Sequence, residues 1–327
     1  MRHLSIIFCF IISFAAKTQT LPMEEFAKYP QTSIANRFVT MNLLLPDPEK
    51  GSYRATRFDW SGIISSLKYG DHQYFGYWKS THDPLVHEDL SGPVESYIAP
   101  GLGFDEAKAG GKFIRIGVGI IERPDDKPYE TYKTYKILDH GKWDIYEGDD
   151  WIEFKHIIKS DIGYGYVYTK RINLKSNEPG FTITHILENT GEKVIETDQF
   201  NHNFFMIDGE SSGPAIHVYF PYEISTENDL RDVMKINGKE LYFLKDLAQG
   251  SSIWMEFEGF SDRVKDHQVR VVNKNSGAGV HLKVDKPLYR MVFWACHTTY
   301  CPENFVYITV EPGKSETWVS DYTLFTE

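Results

Sequence analysis

Phe181-Thr182-Ile183-Thr184-His185-Ile186-Leu187-Glu188-Asn189-Thr190-Gly191 is the stretch on which the fold turns. Side chains on a strand alternate between two faces, so Phe181, Ile183, His185 and Leu187 share one face. The run is rich in β-branched and aromatic residues and stops at a turn-forming Asn-Thr-Gly. His185 within that apolar row reads as a core histidine with satisfied hydrogen bonds. The pattern recurs along the chain. Strands are expected at residues 112–121, 151–158, 164–174, 216–220, 253–257, 268–272, 280–284, 289–295, 306–310 and 316–325. Turn sequences such as Asp139-His140-Gly141, Asn237-Gly238 and Glu311-Pro312-Gly313 separate them. Residues 23–28 and 228–236 are the best candidates for helix, and both are short. The expectation is therefore all-β: one large antiparallel β-sandwich over residues 34–327, led into by residues 17–33. Residues 81–111, rich in His, Pro and Gly, read as long ordered loops, which on a rigid scaffold often carry function.

At the N-terminus, Arg2 and His3 precede an apolar run over residues 4–14, followed by Ala15 and Ala16. This is the layout of a cleaved secretory signal, expected at residues 1–16. The run is too short to span a bilayer as a helix, so after cleavage no membrane partner is expected. The implied location is the periplasm or the medium outside the cell. Export would remove Cys9 and leave Cys296 and Cys301, which an oxidising compartment allows to pair. Free buried thiols are the alternative, and a zinc site through Cys296, His297 and Cys301 lacks the usual paired spacing. Lys and Arg number 35 against 46 Asp and Glu, a net charge of −11 that disfavours nucleic acid. Aromatic residues make up 15% of the 327, a high share.

Three clusters could carry chemistry. The first is Phe200-Asn201-His202-Asn203-Phe204-Phe205, where three polar side chains interrupt a buried run. His202 shares a face with Phe200 and Phe204; Asn201 and Asn203 point the other way. Burying each group costs roughly 1–3 kcal/mol unless it is paired. A site for sugar hydroxyls and an internally satisfied polar strand both answer that demand. The second is Trp294-Ala295-Cys296-His297-Thr298-Thr299-Tyr300-Cys301-Pro302-Glu303, read as a loop after a strand, with an aromatic platform, an imidazole and a carboxylate. The third is Arg115, set on one strand face with Gly117 and Gly119. The glycines would leave room for a ligand above the sheet, or Arg115 lies on a surface edge. His82 and His87, with Asp83, Glu88 and Asp89, could ring a pocket or bind a metal, but match no strong motif. Gly-rich phosphate loops followed by a helix are absent from the sequence.

Residues 183–191 followed by Phe200-Asn201-His202-Asn203-Phe204 resemble the galactose mutarotase-like superfamily, that of the aldose 1-epimerases. That family carries an Asn-His-Ser-Tyr-Phe motif with a catalytic His, on which His202 falls. Val310-Glu311-Pro312-Gly313-Lys314-Ser315-Glu316-Thr317-Trp318 is similar to its closing strand. The resemblance implies a supersandwich acting on a mono- or oligosaccharide without metal or cofactor. It implies interconversion of sugar anomers by acid–base ring opening, with His202 as acid. The family's base is a Glu on a late strand; residues 293–298 contain none, and Glu303 just beyond is the candidate. Arg115, Asn201, Asn203 and His297 would bind hydroxyls, and Trp294 would stack on the ring. A polysaccharide lyase-like enzyme on uronate glycans and a non-catalytic sugar-binding protein are the alternatives.

Overall fold

A computed structural model describes residues 20–327; the expected signal segment 1–16, with Cys9, lies outside the described residues. One layer is a ten-stranded antiparallel sheet. Its centre is formed by Ala278–Val284, Ser315–Thr326, Gly180–Asn189, Gly165–Leu174 and Trp151–Lys159, adjacent in that order. The facing layer has five strands in the order Ser252–Phe257, Arg290–Cys296, Thr299–Val310, Ile195–His202 and Val94–Tyr97. A four-stranded sheet from Gln31–Ala35 to His72–Phe75 and a three-stranded one from Lys112–Arg115 to Ile137–Asp139 complete the architecture. The all-β antiparallel expectation holds, and most expected strands match to within a residue or two. No helix among the described residues is long and apolar enough to cross a membrane.

Three local expectations are corrected. Residues 112–121 are two strands, not one: Lys112–Arg115 and Gly119–Glu122 pair around a turn. Gly117 takes φ 77° there, and a Cβ on it would lie 2.6 Å from Asp59. The glycines beside Arg115 thus serve the turn rather than clear space for a ligand. Residues 228–236 are turns and the start of Met234–Asn237, because Arg231 and Asp232 both sit at φ 51°. The supposed loop after Trp294 is a tight hairpin: Thr299–Val310 returns at once, pairing Cys296 with Thr299 and Trp294 with Cys301.

The layers are joined by more than apolar packing. Lys170, His185 and Trp318 sit opposite one another on three successive strands of the large sheet. Across the interior stand Glu95 and Asn201, paired on the small sheet. Lys170 Nζ donates to Glu95 and to Ser61 O, and lies 3.6 Å from Asp59. His185 Nε2 and Asn201 Nδ2 each approach Glu95 Oε1 at 3.0 Å. Gln199 extends the chain, donating to Asn201 Oδ1 and accepting from Trp318 Nε1. Every member is buried. Glu95 titrates at about 2: burial works against its charge but Lys170 and His185 outweigh it. Asp59 is pushed up to about 7, by burial first, with Lys170 opposing.

Removing one partner of a buried ionic group costs about 3–5 kcal/mol, because the others stay buried unpaired. Glu95→Gln is expected to lower the stability by about that amount. The measurement is a urea unfolding curve whose midpoint falls while its slope is kept.

Candidate active site

Period two decides what the small sheet shows on each side. Gln199 and Asn201 face the interior, so Asp198, Phe200 and His202 face outward. Phe200 pairs with Phe305 and Val292 with Glu303, which sets Glu303 beside His202 on the outer face. His202 Nε2 and Glu303 Oε1 come within 3.2 Å, both nearly excluded from solvent. The imidazole stacks on Phe204 at 3.9 Å and meets the edges of Trp294 and Phe58 at 5.3 and 5.6 Å. Trp78 stacks on the same Phe204 and donates its indole N–H to Leu90 O.

Above this pair opens a cleft of about 950 Å³, in the range of small-molecule sites. Its lining includes Arg57, Trp78, Thr81, His87, Glu88, Tyr132, Trp254, Trp294, Cys296 and His297. Trp254, 47% exposed, and Tyr132, 70% exposed, also line it. Thr81, His87 and Glu88 come from residues 81–111, the long loops expected to carry function. His87 lines the cleft and lies 3.4 Å from Glu88, whereas His82 is turned to Asp89 at 2.9 Å. Lys79 also contacts Glu88, at 3.4 Å. Burial disfavours the Glu88 charge, but His87, Lys79 and Arg57 hold it at about 2.

The expected site residues divide. His202, Glu303, Trp294 and His297 line one cleft. His297 Nδ1 lies 2.5 Å from Leu247 O. Asn201 is committed to Glu95 and Gln199 on the other side of the sheet. Asn203 is fully buried, donating to Pro302 O and accepting from Tyr322 OH. Arg115 does not reach the cleft: it is buried, and its guanidinium donates to Ile98 O and Arg57 O, each at 2.7 Å. Its effect on the cleft is indirect, through the backbone of Arg57. Arg57, Trp78 and Tyr132 were not singled out by sequence, since they lie in irregular segments with no periodicity to report their facing. Cys296 and Cys301 are free thiols, pushed up by burial, and Cys301 accepts from Phe204 N–H. Among the described residues no three His, Cys, Asp or Glu side chains are arranged to hold a metal ion.

Desolvation sets the protonation of the pair. Burial lifts Glu303 to about 8, with Arg57 and Arg290 pulling the other way. His202 is driven well below its ordinary value, by burial first and then by Arg57. At neutral pH the pair therefore carries one proton, held on the carboxyl, beside a neutral imidazole. His202 Nδ1 has no hydrogen-bond partner among the described residues.

This architecture, a sandwich with a cleft on the outer face of its smaller sheet, is the galactose mutarotase-like fold. Solved structures share it at low identity. A galactose mutarotase-like protein from Clostridium acetobutylicum superposes with TM-score 0.55 at 12% identity, over 91% of this chain and 95% of that one. A galactose mutarotase-like protein from Lactobacillus casei gives TM-score 0.53 at 11% identity, over 90% and 100%. The aldose epimerase homologue of C. elegans gives 0.54 at 12%, over 90% and 98%. No family model matches the sequence, and no curated protein matches it. What is shared with these structures is the fold.

A carboxyl whose folded pKa is raised stabilises the fold while protonated. That stability is complete below the unfolded value of about 4.5 and is lost as pH rises through about 8. Glu303→Gln, which cannot ionise, is expected to escape this loss. Its stability relative to the parent should rise between pH 6 and pH 9, read by thermal unfolding at each pH.

Proposed function

We propose that this protein interconverts the anomers of a pyranose by proton transfer at the His202–Glu303 pair. The observation that carries the reading is that pair, 3.2 Å apart on the floor of an aromatic-walled cleft. Ring opening needs a base to take the anomeric hydroxyl proton and an acid to protonate the ring oxygen. A pair holding one proton supplies both at once. Glu303 protonated with neutral His202, and ionised Glu303 with imidazolium, are two placements of the same proton. The pH profile therefore belongs to the pair. Burial favours the first placement at rest, with Glu303 donating and His202 accepting, the reverse of the roles that the family resemblance implies. Trp294 and Trp254 offer faces on which a pyranose can stack, and His297 and Thr298 add polar side chains to the wall. The fold of proteins named as aldose epimerase homologues supports a sugar as substrate, while function rests on the site itself. The N-terminal signal pattern supports an exported protein.

The test is anomerisation of fresh α-D-glucose and α-D-galactose, followed by polarimetry. Activity is expected to decline as pH rises through about 8, when the pair loses its shared proton. His202→Ala and Glu303→Gln should each slow turnover by about 100-fold or more. Unchanged rates in both folded variants would exclude the assignment.

A further inference from the structure

Arg57 is out of keeping with the other arginines near it. Arg115 and Arg123 are spent on backbone carbonyls, and Arg290 forks onto Glu256. Arg57 lines the cleft half-buried, yet its guanidinium makes no hydrogen bond or ion pair among the described residues. It is held in place all the same. Its centre lies 4.6 Å over Phe58 and 5.5 Å over Tyr132, and its own carbonyl is pinned by Arg115. Phe58 in turn meets His202 edge-on at 5.6 Å. The nearby carboxyls feel its charge but do not bond to it: Glu88 is engaged by His87 and Lys79, and Glu303 faces His202. An oriented, partly desolvated guanidinium with vacant donors beside a reactive pair is a recognition element for an anion.

Resting on the sugar reading above, we infer that the substrate is an acidic sugar whose carboxylate is bound by Arg57. One planar fork matches one planar carboxylate. A phosphate ester, carrying more charge, would call for further free cations, and the other cation of the cleft, Lys79, is paired with Glu88. A uronate is the class that combines a pyranose ring for the His202–Glu303 pair with a carboxylate for Arg57.

The experiment titrates the full chain by calorimetry with D-glucuronate, D-galacturonate, D-glucose, D-galactose and D-glucose 6-phosphate. Each uronate is expected to bind roughly tenfold or more tighter than its neutral parent, with the margin shrinking as salt is added. Arg57→Gln should bring the uronate-to-neutral ratio close to one, and Arg57→Lys should restore part of it. Equal binding of acidic and neutral sugars, or a ratio untouched by Arg57→Gln, would overturn the inference. A phosphate ester preferred over both uronates would overturn the carboxylate assignment. Neutral sugars that bind and anomerise without any acidic preference would sink this inference alone. Failure of every sugar to bind would remove the anomerase reading with it.

Discussion

Glu95 is the point on which the two layers of the sandwich depend. It is fully buried, and its two oxygens serve Lys170 and His185 from the large sheet and Asn201 from its neighbour strand. A buried carboxylate is tolerable only when its charge and lone pairs are answered, and here they are answered from both layers. The consequences reach the outer surface. Once Asn201 is committed inward, the strand's alternation leaves His202 no choice but to face out. The same cluster governs the segment that carries Arg57. Asp59 N–H donates to Glu95 O, and Asp59 lies near Lys170. The interior network and the cleft are thus two faces of one sheet.

Desolvation acts differently on those two faces. Inside, Glu95 keeps its charge against burial because Lys170 and His185 stand beside it. Outside, His202 and Glu303 are buried under Phe58, Phe204 and Trp294, and among the described residues no Lys or Arg forms an ion pair with the carboxyl. Burial then favours neutrality for both, and the pair keeps a single proton near physiological pH. Arg57 stands at the margin, close enough to influence both groups and still free to meet a ligand.

The fold narrows function without choosing it. A galactose mutarotase-like sandwich is a scaffold, and at about 12% identity to solved examples the likeness carries no residue roles. The chemistry has to be read from the pair, the aromatic walls and the unpaired guanidinium. On the function proposed above these agree with one another: a stacking surface, a proton-sharing pair and a guanidinium fork would together suit a charged pyranose.

Alternation and turn chemistry were enough to read the strands from the amino-acid order, because both are local properties of the backbone. They also predicted correctly that His185 is a core residue and that His202 and Asn201 diverge. The reading failed where locality failed. Residues 112–121 look continuous in hydrophobicity, but Gly117 and Gly119 bend the chain into a hairpin. Arg115 looked like the arginine of the site. Tertiary packing instead buries it under Arg57 and puts Arg57, from a stretch without periodicity, into the cleft. Glu303 lay outside the expected strand until the hairpin register set it opposite Val292 and beside His202. Sequence by itself determined which face each strand residue takes, since that follows from a two-residue period. Only the tertiary structure decided which faces meet, because cross-strand register and loop packing join residues far apart in the chain.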